Sequence, residues 1–264
     1  MVCTNKIKLF VFDLDGTALG GHQPYDVFPP YFARFLDRLA RAGIQWATNT
    51  TWSPEAQLKV ISASGLKSRP VFLAGATGRA LARVDGNELR PDQAYARRIR
   101  ALDRRFLGRC GGMMRALAAR LIKTGLADEL YYMPYAQPCL TVSFAGHGDA
   151  SIGWRLLHPL LKSGLMYRMS GNCKADTLMP AYMNKGAPLR FMQARLGLGA
   201  GEIMVAGDGW NDRPMFDPAL AAWMVCPANA HRHIKAIVRR NGGAVGQRRF
   251  SAGVIEAAGK LLGL

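Results

Sequence analysis

Two aspartates that follow a short apolar segment near the start of the chain most constrain what it can fold into. The segment Leu9–Phe12 is followed at once by Asp13, Leu14 and Asp15. A short apolar run of this kind predicts a buried β-strand. Two carboxylates so close together cannot both lie unpaired in the core, because burial of unpaired charge is costly. Ligands bind at the carboxyl ends of the strands in open α/β sheets, so the pair predicts a site for a divalent cation, a proton, or both.

A second acidic segment lies far along the chain, in the same position relative to an apolar run. The run Ile203–Ala206 is followed by Gly207-Asp208-Gly209-Trp210-Asn211-Asp212. Its glycines allow a ligand to approach the backbone closely. The sequence therefore predicts that two strands end in carboxylates.

Two polar segments lie between these acidic ones. Thr48-Asn49 follows the apolar run 44–47, and Lys185-Gly186 begins a helical pattern. A lysine at the start of a helix is unfavourable for the helix dipole unless an anion is near. Lys185 therefore indicates a nearby negative charge.

In this order, the four segments resemble the four motifs of the haloacid-dehalogenase-like (HAD) phosphohydrolases. Asp-Leu-Asp-Gly-Thr combined with Gly-Asp-Gly-x-Asn-Asp is specific, whereas either piece alone would be weak. Gly75-Ala76 resembles the Asn-Gly-Ala that opens the cap in subclass IIB, the Cof-like sugar phosphatases, with Ala74 in place of Asn. The second motif, Ala-Thr-Asn-Thr at 47–50, departs from the Ala-Thr-Gly-Arg usual in that subclass; Thr-Asn also occurs in subclass IIA.

The resemblance implies a Mg²⁺-dependent phosphatase that works through an aspartyl-phosphate. By resemblance, Asp13 is the nucleophile and a metal ligand. Asp15 protonates the leaving alcohol, then activates water, and offers its backbone carbonyl to the metal. Residues two apart on an extended segment point to the same side, which suits this division of roles.

The same resemblance assigns the remaining site residues. Asp208 and Asp212 complete the metal site, and carboxylate oxygens suit Mg²⁺, which is a hard cation. Lys185 neutralises the phosphoryl group and orients Asp13. The phosphate or the substrate is bound by Thr48, Asn49, Lys185 and Asn211.

The order of predicted elements indicates an α/β fold with a parallel-sheet core and an inserted α+β unit, and the resemblance implies a Rossmann-like core with a type II cap domain. Strands and helices alternate as far as residue 73 and again from residue 186, which predicts a parallel sheet covered by helices. We expect the core at 1–77 and 177–264 and the cap at 78–176. The cap pattern predicts a hairpin at 81–90, helices at 93–107 and 113–123, strands near 130–133 and 140–144, and a helix at 152–162.

Composition leaves more than one function open. The 264 residues contain 35 Lys plus Arg and 18 Asp plus Glu, a net charge of +17, which suits steering of anionic substrates or contact with nucleic acid. Five scattered cysteines without a Cys-x-x-Cys pair favour free thiols in a reducing cytoplasm. No apolar run predicts a membrane span or a signal peptide.

We therefore expect a cytoplasmic phosphatase whose partner is a small phosphorylated metabolite of the sugar-phosphate type. A phosphomutase would share every motif and differ in the acceptor of the phosphoryl group. A basic nucleic-acid-binding protein that has lost catalysis is a further alternative, against which the intact motifs argue. Asn172 and Lys174, late in the predicted cap, are candidates for reading the substrate.

Overall fold

The computed structural model describes residues 7–86, 88–133, 137–144, 164–170 and 175–263, together with residues 155, 158, 161 and 162. The chain divides into two compact units, one formed by Met1–Ala96 and Asn184–Leu264 and the other by Arg97–Met183. The predicted domain limits, a cap at 78–176 within a core of 1–77 and 177–264, stay a prediction.

The described residues form strands and helices in two blocks. The strands are β1 (Leu9–Phe12), β2 (Gln45–Asn49), β3 (Phe72–Gly75), β4 (Ala80–Asp85), β5 (Glu88–Pro91), β6 (Ala127–Met133), β7 (Gln137–Phe144), β8 (Met166–Ser170), β9 (Ala175–Pro180), β10 (Ile203–Ala206), β11 (Trp223–Cys226) and β12 (Ala244–Val245). The helices are α1 (Pro30–Arg41), α2 (Pro54–Ala63), α3 (Gln93–Lys123), α4 (Gly186–Leu196), α5 (Arg232–Arg240) and α6 (Phe250–Leu262). Short 3₁₀ segments span Ala76–Gly78, Ala200–Glu202 and Trp210–Met215.

One mixed sheet organises the first unit, with strand order β12-β11-β10-β1-β2-β3-β4-β5. The strands from β12 to β3 run parallel, and the hairpin β4–β5 adds to them in antiparallel sense. The predicted hairpin therefore exists, and it extends the sheet that contains β1. Parallel strands joined through helices agree with the predicted core.

The register of the central strands sets the position of the site. Phe12, the last residue of β1, pairs with Ala206 of β10 on one side and with Thr48 of β2 on the other. Asp13 and Gly207 therefore leave the sheet at the same edge. The carboxyl edge of β1, β10 and β2 collects the polar segments that the sequence predicts there.

Aromatic packing fixes β1 beneath this edge. Phe12 is fully buried, and its ring centroid lies 5.4 Å from that of Phe32 on α1 and 5.9 Å from that of Trp46 on β2. The helix α1 begins with Pro30, whose fixed φ suits a first helical turn. A packed aromatic core of this kind holds the strand end rigidly, because aromatic side chains bury large areas.

The two helices predicted at 93–107 and 113–123 form one helix, α3, so the predicted break is wrong. Gly111 and Gly112 lie inside it. Glycine costs a helix only ~1 kcal/mol relative to alanine. The apolar positions Phe106, Cys110, Met114 and Leu121 belong to one buried cluster that continues past the glycines. Burial of that face outweighs the glycine cost.

The second unit contains an antiparallel sheet with strand order β6-β7-β9-β8, in addition to most of α3. This mixture of helix and antiparallel strands is the α+β content expected of the insertion. The helix predicted at 152–162 lies largely outside the described residues. Among the described helices, none combines the length and the apolar character that a membrane span requires.

Candidate active site

Three carboxylates meet at the carboxyl edge of the sheet. Asp13, Asp208 and Asp212 each offer an oxygen, and these oxygens lie within 4.8 Å of one another. Close approach of the backbone makes this possible. A Cβ atom on Gly16 would lie 2.2 Å from Oδ2 of Asp208, and Gly16 has a φ of 74°, so both the space and the conformation require glycine.

Lys185 lies at the centre of a buried ionic network. Its Nζ is 2.7 Å from Oδ1 of Asp13 and 2.5 Å from Oδ1 of Asp212. The backbone N–H groups of Asp208 and Gly209 each donate to Oδ2 of Asp212 at 2.8 Å. Both oxygens of Asp212 are therefore engaged within the protein. Asp212 holds the lysine and also shapes the loop that follows β10.

Burial and neighbouring charges shift the pKa values of this network. Burial raises the pKa of Asp13 to about 7, and Asp212 adds to the rise while Lys185 opposes it. Burial alone would lower the pKa of Lys185, but the charges of Asp13 and Asp212 raise it above its usual range. The lysine is therefore protonated at neutral pH.

Asp208 lies at the more open side of the cluster. Thr17 donates from Oγ1 to its Oδ1 at 3.0 Å. Asn229 donates to the carbonyl of Gly16 at 2.7 Å and so fixes the turn that faces Asp208. Burial, followed by the charge of Asp212, raises the pKa of Asp208 to about 6.

The donor set fits a hard divalent cation. Three carboxylates surround one buried ammonium group, so the cluster carries an excess of negative charge. Oxygen ligands of this type bind Mg²⁺ and Ca²⁺ rather than soft metals. The side chain of Asp15 lies outside this acidic group, and its predicted metal contact through the backbone carbonyl stays a prediction.

Asp15 has a different environment from Asp13. Tyr25 donates from its hydroxyl to Oδ1 of Asp15, and Trp52 donates from Nε1 to Oδ2, each at 2.6 Å. Burial, followed by the hydrogen bond to Asp15, raises the pKa of Tyr25 above its usual range. Asp15 is thus held by two neutral donors, which the sequence analysis missed. Nothing in the local sequence marks Tyr25 or Trp52, because only the folded loops bring them to Asp15.

The residues of the second motif, 47–50, make contacts that stabilise the fold as well as the site. The fully buried Thr48 donates from Oγ1 to Oε1 of Gln57 at 2.5 Å. Asn49 donates from Nδ2 to the carbonyl of Lys185 at 2.6 Å, which ties the end of β2 to the start of α4. Oδ1 of Asn49 and Oγ1 of Thr50 are buried without a hydrogen-bond partner within the described part of the chain. Thr50 therefore joins the polar groups that a ligand could satisfy.

The structure describes Asn211 but not the two predicted cap residues. Asn211 is half-buried in the 3₁₀ segment after β10, and a Cβ atom on Gly209 would lie 2.6 Å from its Oδ1. Asn172 and Lys174 lie outside the described residues. The phosphate-binding roles assigned to Thr48, Asn49, Lys185 and Asn211 stay predictions.

Comparisons with known proteins find sequence similarity to phosphatases. A family model described as sucrose-6F-phosphate phosphohydrolase matches residues 139–261. A phosphoglycolate phosphatase from Thermoplasma volcanium is 40% identical over 74 residues, which are 28% of this chain and 31% of the relative. That match spans less than a third of the curated relative's length.

Solved structures share the fold over nearly the whole chain. The sucrose-phosphatase from Synechocystis sp. PCC6803, solved in complex with sucrose and phosphate, has a TM-score of 0.69 and 19% identity, with 97% of this chain and 98% of that chain covered. A haloacid dehalogenase-like hydrolase protein from Bacillus subtilis has a TM-score of 0.65 and 14% identity, with coverages of 98% and 97%. These likenesses confirm the predicted fold class. The chain therefore shares the fold of haloacid-dehalogenase-like (HAD) hydrolases of known structure, and its ordered motifs and acidic cluster resemble those of that family.

Proposed function

We propose that this chain is a Mg²⁺-dependent phosphatase that hydrolyses a small phosphorylated metabolite of the sugar-phosphate class through an aspartyl-phosphate. The observation that carries the proposal is the buried network in which Lys185 joins Asp13 to Asp212 beside Asp208. A structural ion pair needs no third carboxylate at its side. The extra negative charge and its place at the carboxyl edge of the sheet favour a cation and an anionic substrate.

Mg²⁺ would be held by the carboxylates of Asp13 and Asp208, with Asp212 and the backbone carbonyl of Asp15 completing the protein's contribution. When bound, it supplies positive charge that offsets the repulsion between the anionic nucleophile and the phosphate.

Asp13 attacks the phosphorus, so that a bond forms between its carboxylate oxygen and phosphorus while the bond to the leaving oxygen breaks. Lys185 fixes Oδ1 of Asp13 at 2.7 Å and carries a charge that attracts the phosphoryl group. Asp15 gives a proton to the leaving oxygen. It then takes a proton from the water that attacks the phosphoenzyme, which releases Asp13 and inorganic phosphate.

The substrate class is supported by two similarities. The family model that matches residues 139–261 is described as sucrose-6F-phosphate phosphohydrolase. The sucrose-phosphatase that shares the fold was solved with sucrose and phosphate. We propose that the inserted unit, Arg97–Met183, selects the sugar, with Asn172 and Lys174 as candidate contacts.

A screen of phosphorylated metabolites with Mg²⁺ present tests the proposal. We expect phosphate release from one or more sugar phosphates, loss of that release with a chelator, and its return with added Mg²⁺. Asp208→Asn should remove most of the activity, whereas Asp217→Asn, which alters an exposed carboxylate 3.9 Å from Arg190, serves as the matched control. Full activity after exhaustive chelation, or transfer of the phosphoryl group within the sugar instead of release, would contradict the proposal.

A further inference from the structure

The two hydrogen bonds to Asp15 are equal in length but come from different donor groups. The indole N–H of Trp52 reaches Oδ2 and the phenol of Tyr25 reaches Oδ1, each at 2.6 Å. An indole N–H can only donate, while a phenol can donate and accept. The two oxygens of Asp15 are therefore not equivalent.

The backbone of Trp52 is fixed by two hydrogen bonds. Its carbonyl accepts from the backbone N–H of Ala76 at 3.1 Å and from Nε2 of Gln57 at 3.0 Å. Gln57 is fully buried and also donates to the carbonyl of Ala74 at 3.1 Å. A Cβ atom on Gly75 would lie 2.4 Å from the carbonyl oxygen of Trp52, so the packing around this loop leaves no space for a side chain there.

Tyr25 has no comparable anchor among the described contacts. It lies in the segment between β1 and α1 and is 39% exposed. Its ring stacks on the half-buried His22, with centroids 6.3 Å apart. Its hydroxyl is thus the donor that can give way when another group approaches Asp15.

We propose that Trp52 is a positioning residue that holds Oδ2 of Asp15 throughout the reaction, so that proton transfer occurs at Oδ1, where the Tyr25 hydroxyl yields its place to the substrate. This inference rests on the proposed function. In the first step the proton on Oδ1 moves to the leaving oxygen as the phosphorus–oxygen bond breaks. In the second step the attacking water returns a proton to Oδ1. The indole keeps its own proton in both steps.

The dependence of the first step on the leaving group tests the inference. A poor leaving group such as the alkoxide of glycerol phosphate needs a well-placed acid, whereas the nitrophenolate of p-nitrophenyl phosphate does not. Rapid-quench measurement of phosphoenzyme formation gives the rate for each substrate in the wild type, Trp52→Phe and Tyr25→Phe.

We expect Trp52→Phe to slow phosphoenzyme formation from glycerol phosphate at least ~10-fold more than from p-nitrophenyl phosphate, a part of the ~10²–10⁴ that a placed acid contributes. Tyr25→Phe should change both substrates by the same factor. Trp52→His, which keeps a ring N–H, should recover part of the selective loss. Trp223→Phe is the matched control, because it removes an indole donor that bonds to the carbonyl of Gly201 at 2.8 Å, away from Asp15.

The outcomes separate this inference from the proposed function. If the wild type forms no phosphoenzyme with either substrate, the proposed function fails. If the wild type forms it and Trp52→Phe affects both substrates equally, or neither, Trp52 does not position the acid. A selective loss in Tyr25→Phe instead would place the proton transfer at Oδ2. Circular dichroism and thermal melting confirm that each variant is folded before it is compared.

Discussion

Asp13 and Asp15 are separated by a single residue, yet they lie in opposite environments. Asp13 is buried beside Lys185 and two further carboxylates, so burial and neighbouring charges together set its pKa. Asp15 is half-buried, and its oxygens accept hydrogen bonds from a phenol and an indole, which carry no charge. The difference indicates how one strand end can supply two functions, because an ionic setting suits an attacking carboxylate and uncharged donors orient a carboxyl group without an ion pair.

The packing beneath the two residues explains the contrast. Asp13 directly follows Phe12, and its backbone N–H donates to the carbonyl of Ala206 at 3.1 Å, so it continues the pairing of β1 with β10. After Asp15 the chain turns: the N–H of Gly16 donates to the carbonyl of Leu19 at 2.9 Å. The first residue is thus fixed by the sheet and the second by the loops around it.

Removal of the charge at Asp13 should have the largest effect. Asp13→Asn keeps the shape of the side chain but removes the attacking oxygen charge, so no phosphoenzyme should form and the rate of phosphate release should fall by at least ~10⁴, as for other nucleophile replacements. Rapid quench with labelled substrate and mapping of the labelled peptide check this. Label retained in the Asp13→Asn protein would show that the nucleophile is another residue.

Asp15→Asn should have a smaller effect and should leave the nucleophile intact. Proton transfer at the leaving group and at the attacking water should slow by ~10²–10⁴. Any phosphoenzyme formed should also decay slowly, since the same residue is proposed to activate water. Single-turnover formation and decay rates measure both steps. Label on Asp15 instead of Asp13 would reverse the proposed roles.

The acidic cluster around Lys185 could be predicted from the sequence, whereas the donors around Asp15 could not. The motifs and the strand ends predict that Asp13, Asp208 and Asp212 converge, and the structure brings these three together. Strand β10 also coincides with the predicted apolar run Ile203–Ala206, and helix α4 begins at Gly186, where the helical pattern begins. Tyr25 and Trp52 belong to loops whose course depends on tertiary contacts, such as the bonds from Gln57, which have no periodic signal in the sequence.

The same distinction applies to the rest of the fold. The break predicted in α3 is wrong because a local signal, Gly111-Gly112, is outweighed by the buried face that includes Cys110 and Met114. The strand β12 contains only Ala244 and Val245, too few residues to show a periodicity, and the sequence analysis did not predict it. Local patterns predict elements of several turns or residues, and tertiary burial decides the remaining cases.

The smallest expected effect concerns the contribution of Asp13 and Asp208 to the stability of the protein. Burial raises the pKa of Asp13 from its ordinary 3.8 to about 7 and that of Asp208 to about 6. Because these pKa values are raised, the folded state binds more protons than the unfolded chain at intermediate pH. The stability that the two carboxyl groups contribute is full below pH 3.8 and is lost as the pH rises through 6 and 7. Without metal, these two groups should therefore destabilise the protein at pH 8 relative to pH 5.

A bound divalent cation favours the ionised carboxylates, so it should offset that loss. We expect added Mg²⁺ to raise the melting temperature more at pH 8 than at pH 5, by at least about 2 °C, since about 1 kcal/mol moves a protein of this size by that much. Thermal melting with and without Mg²⁺ at the two pH values gives the difference. Asp13→Asn should reduce the difference and the surface variant Asp217→Asn should not. An equal shift of the melting temperature at both pH values would show that ionisation of the buried carboxylates is not linked to cation binding. The contrast between Asp13 and Asp15 would then lie in the geometry of their contacts alone.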